Sequence, residues 1–254
     1  MQKSVSFAQI SDCHLYADKS AMHHGANVFS HLCSVLTAIK TNHDLEFIIF
    51  TGDLTQDHSE ASYQLFVEAV KLTEISLPIY YLAGNHDEPA ILDKYLQSPI
   101  FCSDKTIERD HWQIQLIKSK SDTPSGLVTN DECERLLTCI NKDKFQLVMM
   151  HHHPVNVGYF IDRHGLKNQQ RFYELIDNVP SLKAIACGHV HNAMELKMTG
   201  YKGVVPVFTC PATSIQFDKT LDTVSNAGLP AGYRVFHLNH QGELTSKAVF
   251  LSNQ

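Results

Sequence analysis

The chain has 254 residues, with 21 basic and 27 acidic side chains and a formal net charge of -6. This balance argues against the broad cationic surface that nucleic-acid binding requires. No stretch approaches the roughly 18 apolar residues of a membrane-spanning helix, and the N-terminal residues lack the basic and apolar regions of a signal peptide. We therefore expect one soluble domain over residues 1–254 that binds neither nucleic acid nor membrane and acts on a small substrate.

Cysteine and histidine usage indicates a compartment and a type of site. The seven cysteines include no CxxC pair and no spacing typical of a disulfide framework, which fits free thiols in a reducing compartment. The cytoplasm is the predicted location. The 16 histidines are clustered, at 23–24, 151–153 and 189–191. This clustering points to metal binding.

The first part of the chain alternates predicted strands with predicted helices. Apolar, β-prone runs predict strands at residues 5–10, 47–53 and 79–82. Amphipathic spacing and capping residues predict helices at residues 28–41 and 59–75, the second capped by Ser59, and a short helix that begins at Pro89.

The second part continues the alternation and then changes. Period-two spacing predicts a half-buried strand at 112–118. A helix capped by Asp131, a strand, a further helix and another strand are predicted at residues 131–140, 145–150, 168–178 and 182–187. Short strands separated by turns follow, at residues 203–209, 233–238 and 244–251.

Five of these strands end in polar side chains that can bind metals. The residues are Asp12, His14, Asp53, Asn85, His86, His151, His189 and His191. A buried lone carboxylate is costly unless a charge or a metal compensates it. Mixed imidazole and oxygen ligands suit Mn, Fe or Zn, and two such ions about 3.5–4 Å apart need a shared carboxylate. Asp53, central in order, is the predicted bridge, so the residues themselves predict a two-metal hydrolase.

The order of these motifs resembles that of the calcineurin-like metallophosphoesterases. The motifs are Asp-x-His at 12–14, Gly-Asp at 52–53, Gly-Asn-His-Asp at 84–87, His151 after a strand, and Gly-His-Val-His at 188–191. The resemblance implies an α/β fold, a four-layer α/β/β/α sandwich of two mixed β-sheets flanked by helices. It also implies two divalent transition-metal ions at the strand ends, Fe or Mn foremost and Zn as an alternative.

The resemblance further implies a role for each site residue. One ion would take Asp12, His14, Asp53 and His191, and the other would take Asp53, Asn85, His151 and His189. A hydroxide that bridges the ions would attack phosphorus. His86, oriented by Asp87, would face the phosphate and protonate the leaving oxygen. Substrate contacts would come from His14, Asp53, Asn85, His86, His191 and Gln216.

A narrower resemblance extends over nearly the whole chain. The segments 15–17, 52–57, 151–154, 214–217 and 232–234 are similar to those of the class III bacterial 3',5'-cyclic AMP phosphodiesterases. This resemblance implies hydrolysis of 3',5'-cyclic AMP to 5'-AMP. Ala83 and Lys118 depart from the pattern of that family.

Several alternatives stay open at this point. The same site could act on another phosphodiester, a nucleotide or a phosphoprotein, or the fold could be a scaffold without catalysis. Asp162 and Asn168 could contact a nucleotide, although Asn168 could equally cap a helix. Gln216 could recognise a base or bond to its own loop, and a homodimer is left open.

The other histidines and the pocket wall receive separate predictions. His152 and His153 are expected beside the ligands or in a loop, with substrate contact as the alternative. The following are expected to be exposed or structural: His23, His24, His58, His111, His237 and His240. Residues 156–168 and 214–217, rich in donors and acceptors, are expected to form one wall of the substrate pocket.

Overall fold

The computed structural model describes residues 4–200 and 203–252, which contain fourteen strands and five α-helices. In chain order the strands are β1 (Val5–Ile10), β2 (Met22–His23), β3 (Ala26–Asn27), β4 (Phe47–Phe50), β5 (Ile79–Tyr81), β6 (Phe101–Cys102), β7 (Thr106–Glu108), β8 (Trp112–Ile117), β9 (Phe145–Met150), β10 (Leu182–Cys187), β11 (Met194–Gly200), β12 (Gly203–Thr209), β13 (Gly232–Leu238) and β14 (Leu244–Phe250). The helices are α1 (Val28–Lys40), α2 (Glu60–Leu72), α3 (Pro89–Tyr95), α4 (Asn130–Cys139) and α5 (Gln169–Ile176), with a 3₁₀ helix at Phe160–His164.

Two six-stranded mixed sheets form the centre of the fold. The first has the order β14-β13-β1-β4-β5-β6 and the second the order β11-β12-β10-β9-β8-β7. The strands β1, β4, β5 and β6 run parallel, as do β8, β9, β10 and β12. Because helices connect most of these parallel strands, each sheet has an inner face toward the other sheet and an outer face toward helices.

Three apolar clusters fill the spaces between these layers. Helices α1, α2 and α3 pack on the outer face of the first sheet, and α4 and α5 pack on the outer face of the second. Between the sheets, Phe7 of β1 stacks on Phe47 and Phe236, with ring centroids 4.9 and 5.1 Å apart. Leu147 and Met149 of the second sheet belong to the same cluster. The four-layer α/β/β/α sandwich is therefore confirmed.

The structure corrects several of the predicted elements. The strand predicted as half-buried, β8, is buried along its whole length, because it packs between the other sheet and α4. The cap of α4 is Thr129, whose side chain accepts from the backbone N–H of Glu132, and not Asp131. Strands β2, β3, β6, β7 and β11 and the 3₁₀ helix were not predicted, since most are too short for a periodic pattern.

None of the helices in the described part of the chain has the length and apolar character that crossing a membrane requires. The prediction of a single domain over 1–254 stays a prediction, and the residues at both termini lie outside the described ranges.

If the two sheets share one core, a cavity between them should destabilise both together. We expect Phe7→Ala to lower the free energy of unfolding by about 3–5 kcal/mol. Fluorescence of Trp112, the single tryptophan, reports on the second sheet, and far-UV circular dichroism reports on the whole chain. Both transitions should shift by the same amount at fixed metal content. The control Phe250→Ala, at a side chain that is 43% exposed, should change little, and two separate transitions would contradict the single domain.

Candidate metal centre

The five strand ends predicted to carry polar ligands meet at one edge of the sandwich. The ends of β1, β4 and β5 come from the first sheet and those of β9 and β10 from the second. The backbone N–H of His189 donates to the Asp12 carboxylate at 3.0 Å, and Nδ1 of His151 lies 2.8 Å from the carbonyl oxygen of Thr51. Hydrogen bonds from one sheet to the other therefore hold the two halves of the site together.

The donor atoms of the predicted ligands lie within a few ångströms of one another. Oδ2 of Asp53 lies 3.7 Å from Nε2 of His14 and 3.4 Å from Nε2 of His151. Nε2 of His191 lies 3.5 Å from Oδ1 of Asp12, and Nε2 of His151 lies 3.0 Å from Oδ1 of Asn85. Asp53 thus lies between two groups of side chains, as a bridging ligand would.

Three of the imidazoles are oriented by a second hydrogen bond on the opposite ring nitrogen. Nδ1 of His14 lies 2.7 Å from Oε1 of Gln56, and Nδ1 of His191 lies 2.8 Å from the carbonyl oxygen of Ile215. His151 makes the corresponding contact with Thr51. Because these partners are oxygen acceptors, Nδ1 of each ring carries a proton and Nε2 faces the centre, where the neutral ring can offer its lone pair to a metal.

This arrangement fits a bound cation. Nε2 of His14 and Nε2 of His191 lie 3.0 Å apart, so two lone pairs would face each other without a positive charge between them. Nε2 of His189 is buried and has no hydrogen-bond partner within the described chain. Buried polar atoms without partners are rare in proteins, and metal coordination would satisfy these nitrogens.

Burial and the Asp53 carboxylate act in opposite directions on the pKa values of the imidazoles. Burial alone would lower the pKa of His151, but the charge of Asp53 outweighs it and raises this pKa to about 9. Burial instead favours the neutral form of His14 and His189. It lowers the pKa of His14 well below its usual value, and the neighbouring His191 acts in the same direction. Burial likewise lowers the pKa of His189, together with the nearby His152 and His151. A neutral imidazole is the form that binds metals, so both rings are ready for coordination at neutral pH.

The backbone at the site is strained in a way that aims the ligands. Nine non-glycine residues in the described chain have a positive φ, and five of them are predicted ligands: Asp12 (59°), His14 (48°), Asp53 (58°), His189 (65°) and His191 (52°). Each such residue costs of order 1–3 kcal/mol and persists only where the surroundings impose it. Backbone strain is therefore concentrated at the residues whose side chains bring the donor atoms together.

Glycine at position 84 is required by the close approach of two loops. A Cβ at Gly84 would lie 2.5 Å from the backbone nitrogen of Asp53 and 2.7 Å from Cε1 of His151. These distances are shorter than real Cβ contacts, and the Asp53 nitrogen is backbone that cannot move aside. The absence of a side chain at Gly84 lets the loop after β5 reach the bridging carboxylate.

The role predicted for Asp87 is wrong, because its carboxylate does not contact the His86 ring. It is buried and accepts the backbone N–H groups of Gly84 at 2.8 Å, Asp53 at 2.7 Å and Leu54 at 2.8 Å. Burial, followed by the charge of Asp53, raises the pKa of Asp87 to about 6, which leaves the carboxylate ionised at neutral pH. Asp87 is a positioning residue that fixes the two loops carrying Asp53 and Asn85.

His86 lies at the edge of the centre. Its backbone N–H donates to Oδ1 of Asp53 at 2.9 Å, and its ring meets His14 edge-on with centroids 4.9 Å apart. His58 stacks parallel to it, with centroids 5.6 Å apart, and Nδ1 of His58 lies 2.9 Å from the carbonyl oxygen of His86. His86, Asp53 and His14 also form a group that could hold an ion, so His86 can act as a ligand or face the phosphate.

The two histidines after His151 lie beside the ligands. Nδ1 of His152 lies 2.8 Å from Oγ of Ser119 and its Nε2 lies 3.2 Å from the carbonyl oxygen of Pro124, so both nitrogens already have partners. Nε2 of His153 lies 3.2 Å from Oδ1 of Asp162. Although His152 lies close enough to His151 and His189 to form a potential metal group, its own hydrogen bonds disfavour coordination.

A cavity of about 380 Å³ opens over these residues, and we call it the metal-centre cavity. The two segments predicted to form a wall contribute Phe160, Ile161, Arg163, His164 and Phe217. The walls also include residues to which the sequence assigned no place in the pocket, namely Gln56, Pro124, Thr223 and Val224. His23 and His24 also line it, so the expectation that they are merely exposed or structural is incomplete. The ring of His23 stacks on His14, with centroids 5.4 Å apart, and burial lowers its pKa to about 4.

Three predicted nucleotide contacts do not face the metal-centre cavity. The amide group of Gln216 is fully buried and bonds to the backbone of Ala212 and Pro230, so base recognition by Gln216 is wrong and loop bonding is correct. Asn168 occupies the N-cap position of α5, but its side chain bonds to the backbone of Val128 and makes no capping hydrogen bond. It does not line the cavity. The carboxylate of Asp162 accepts backbone N–H groups of its own loop.

Known proteins resemble this chain over nearly its whole length. Residues 5–193 match the family model described as calcineurin-like phosphoesterase. A probable cyclic nucleotide phosphodiesterase of Colwellia psychrerythraea is 50% identical over 250 residues, which cover 97% of this chain and 95% of that protein. A 3',5'-cyclic adenosine monophosphate phosphodiesterase of Escherichia coli K12 is 31% identical, over 96% of this chain and 88% of the relative.

Solved structures support the fold at much lower identity. A dimetal phosphatase from Danio rerio has a TM-score of 0.66 at 11% identity, over 98% of this chain and 99% of that one. A purple acid phosphatase from yellow lupin has a TM-score of 0.64 at 11% identity, over 98% of this chain and 52% of that one. From the match at 5–193 and the relatives that span nearly its whole length, the chain belongs to the calcineurin-like phosphoesterase family.

Proposed function

We propose that this protein is a metal-dependent phosphodiesterase that hydrolyses 3',5'-cyclic AMP to 5'-AMP. The observation that carries the proposal is the convergence of paired imidazole lone pairs on the buried Asp53 carboxylate, at the base of a cavity about the size of a small ligand. The substrate assignment rests on relatives that are named cyclic nucleotide phosphodiesterases and that align over nearly their full length.

The proposed ligand sets divide the site into two halves around Asp53. Asp12, His14 and His191 would hold one ion with Asp53, and Asn85, His151 and His189 would hold the other. Two divalent ions, with Fe or Mn proposed ahead of Zn, would supply Lewis acidity and a nucleophilic water near neutral pH. The phosphate would bind at the mouth of this set, where the ring of His86 faces the cavity.

The side chains around the cavity would then orient the substrate. His86 would donate a proton or a hydrogen bond to the leaving oxygen. Phe160, Ile161 and Val224 present apolar surface on one side of the cavity, and Phe217 stacks on His191 with centroids 3.8 Å apart. An apolar wall of this kind suits a nucleobase, while the metal half of the cavity suits the phosphate.

We further propose a cytoplasmic location, which the seven free cysteines support. The homodimer left open by the sequence stays a prediction, which light scattering on the purified protein would test.

Purified protein should be assayed with Mn against 3',5'-cyclic AMP, cyclic GMP, 2',3'-cyclic AMP and methyl p-nitrophenyl phosphate. The proposal expects the highest kcat/KM for 3',5'-cyclic AMP. A clear preference for 2',3'-cyclic nucleotides or for the aryl diester would support a metal-dependent phosphodiesterase but overturn the assignment of 3',5'-cyclic AMP as its substrate. Absence of hydrolysis by the metal-loaded protein would overturn the enzyme assignment.

The metal content provides a direct test of the bridge. Protein purified without chelators should contain about two transition-metal ions per chain, measured by plasma mass spectrometry. Asp53→Ala should lose both ions, because one carboxylate would serve each of them. The matched control Asp122→Ala, at an exposed carboxylate of a surface loop, should retain both. Loss of a single ion from Asp53→Ala would mean that another residue is the bridge.

A second variant separates metal binding from proton transfer. If His86 acts on the phosphate, His86→Ala should retain both ions and lower kcat by on the order of 10²-fold, the scale of general acid catalysis. His191→Ala should instead weaken metal binding. Metal content and kcat are measured on the same preparations. If His86→Ala contains fewer ions than the wild-type protein, His86 is a metal ligand.

The apolar wall can be tested at a partly exposed residue in a loop. Val224 lines the cavity, whereas Leu221 lies on the same loop outside it, and both side chains are partly exposed at 37% and 45%. Val224→Ser should lower kcat/KM for cyclic AMP by about 3- to 10-fold, since each buried apolar carbon group contributes about 0.8 kcal/mol. Hydrolysis of methyl p-nitrophenyl phosphate should stay the same. Leu221→Ser should alter neither substrate, and equal losses for both substrates would exclude base contact at Val224.

A further inference from the structure

A second cavity, of about 520 Å³, lies close to the metal centre and contains three lysine side chains. We call it the lysine cavity, after Lys105, Lys118 and Lys120 in its wall. Nζ of Lys105 donates to the carbonyl oxygen of Tyr81 at 2.7 Å and lies 4.5 Å from the centroid of the Tyr81 ring. Tyr81 ends β5, a few residues before Asn85 and His86, so the lysine cavity adjoins the loop that forms part of the metal centre.

A groove connects the lysine cavity to the metal-centre cavity. This groove, of about 240 Å³, shares Asn85, His86 and Pro124 with the metal-centre cavity. At its other end it shares residues 120–122 with the lysine cavity. A ligand whose phosphate lies at the metal centre could therefore extend past His86 and along the groove to the lysines.

The charges in the lysine cavity lack direct compensation. Among the described residues, the ion pairs formed by lysines involve Lys19, Lys40, Lys94 and Lys144, and none involves Lys105, Lys118 or Lys120. Carboxylates are nearby, since Glu88, Asp93 and Asp122 also line the lysine cavity, but none lies within 4.0 Å of these ammonium groups. The Asp93 carboxylate instead accepts the hydroxyl of Tyr81 at 2.9 Å.

The absence of a carboxylate partner is least favourable for Lys105. Lys105 and Lys120 are half-buried and Lys118 is exposed. Lysines are almost never fully buried without a charged partner, so even partial burial of Lys105 is unfavourable. Burial lowers the pKa of Lys105 to about 8, with Lys118 and Arg135 acting in the same direction and Asp93 opposing them. An anion in the lysine cavity would relieve both the desolvation of Lys105 and its repulsion from Lys118.

We propose that the lysine cavity is a second anion-binding site, which takes a phosphate group on the far side of a substrate that extends past His86. The proposal rests on the phosphodiesterase function proposed above and adds a substrate class, namely linear phosphodiesters that carry an additional phosphate. Lysine binds phosphate as a point charge and tolerates a range of ligand geometries, which fits a site that receives a flexible end group. A cyclic mononucleotide has a single phosphate, which would occupy the metal centre and leave the lysine cavity unused.

The test compares substrates that differ only by the additional phosphate. The metal-loaded protein is assayed with adenylyl-adenosine and with the same dinucleotide phosphorylated at its 5' or its 3' end. One phosphorylated form should have a kcat/KM about tenfold higher than the parent, since a hydrogen bond to a charged group contributes about 1.5 kcal/mol or more. The variant Lys118→Ala/Lys120→Ala should lose this advantage and retain its rates with cyclic AMP and adenylyl-adenosine. The control Lys71→Ala/Lys142→Ala removes the same two charges from exposed positions and should retain the advantage.

Binding without turnover gives a second measurement. The ligand is a 5'- or 3'-phosphorylated dinucleotide whose linkage is an uncharged methylphosphonate, which is not hydrolysed. In calorimetric titrations the double variant should bind this ligand about tenfold more weakly than the wild-type protein does. The anion in the lysine cavity could be part of the substrate or a free phosphate ion, and added inorganic phosphate distinguishes these two sources. If it changes cyclic AMP hydrolysis through Lys118 and Lys120 while neither phosphorylated dinucleotide is preferred, the lysine cavity takes a free effector and the substrate class is overturned.

The remaining outcomes separate this proposal from the function on which it rests. Equal kcat/KM for all three dinucleotides together with active cyclic AMP hydrolysis would overturn the second anion site and leave the phosphodiesterase assignment intact. A phosphate advantage that persists in the double variant would also overturn it. A phosphate advantage that depends on Lys118 and Lys120, without any cyclic AMP hydrolysis, would support the second anion site and overturn the cyclic AMP assignment.

Discussion

The Asp53 carboxylate is the constraint on which the rest of the site depends. It is 2% exposed, and its Oδ2 lies within 4 Å of imidazole nitrogens from both sheets. A carboxylate this deeply buried needs positive charge nearby, because removing it from water is otherwise prohibitive. Burial alone would raise the pKa of Asp53, but the charge and hydrogen bond of His151 outweigh it and hold this pKa well below its usual value, so the group is ionised and available to cations.

The position of the Asp53 carboxylate depends on contacts beyond strand β4. Asp87 binds the backbone of the Asp53 loop and the backbone of the Gly84 loop with one side chain, which ties the ends of β4 and β5 together. Gly84 leaves the space that these two loops need, and the left-handed backbone at five predicted ligands turns their side chains inward. The ligand set is therefore a property of the loop conformations, which the two packed sheets support from below.

The surroundings of the metal centre differ from one side to the other. On one side the 3₁₀ helix and the loop around residues 217–226 present apolar side chains. This loop is anchored by Arg163, which donates to the side chain of Asp222 at 3.2 Å and to its backbone carbonyl at 2.6 Å, and by Asn226, which donates to the carbonyl oxygen of His24. On the other side the groove past His86 leads to the lysine cavity. Since metal ions would bind only the phosphate, these two sides must decide which phosphoesters are accepted.

The strands, the main helices and the identity of the polar residues at the strand ends follow from the amino-acid sequence alone. These features are local: an apolar run of four to eight residues predicts a buried strand, and the polar residues that follow it lie at its carboxyl end. The parallel order of the strands brings those ends together, which is why motif order is enough to assign Asp12, Asp53 and His151 to one site.

The partners of the polar side chains, in contrast, are set by tertiary packing. Asp87 follows His86 in sequence, yet its carboxylate binds the backbone of another loop, and Gln216 turns into its own loop instead of the cavity. His23, Pro124 and Val224 line the cavity although they are far apart in the chain and fit no common motif. Such contacts depend on side-chain direction and on loop packing between distant segments, and neither follows from spacing along the sequence.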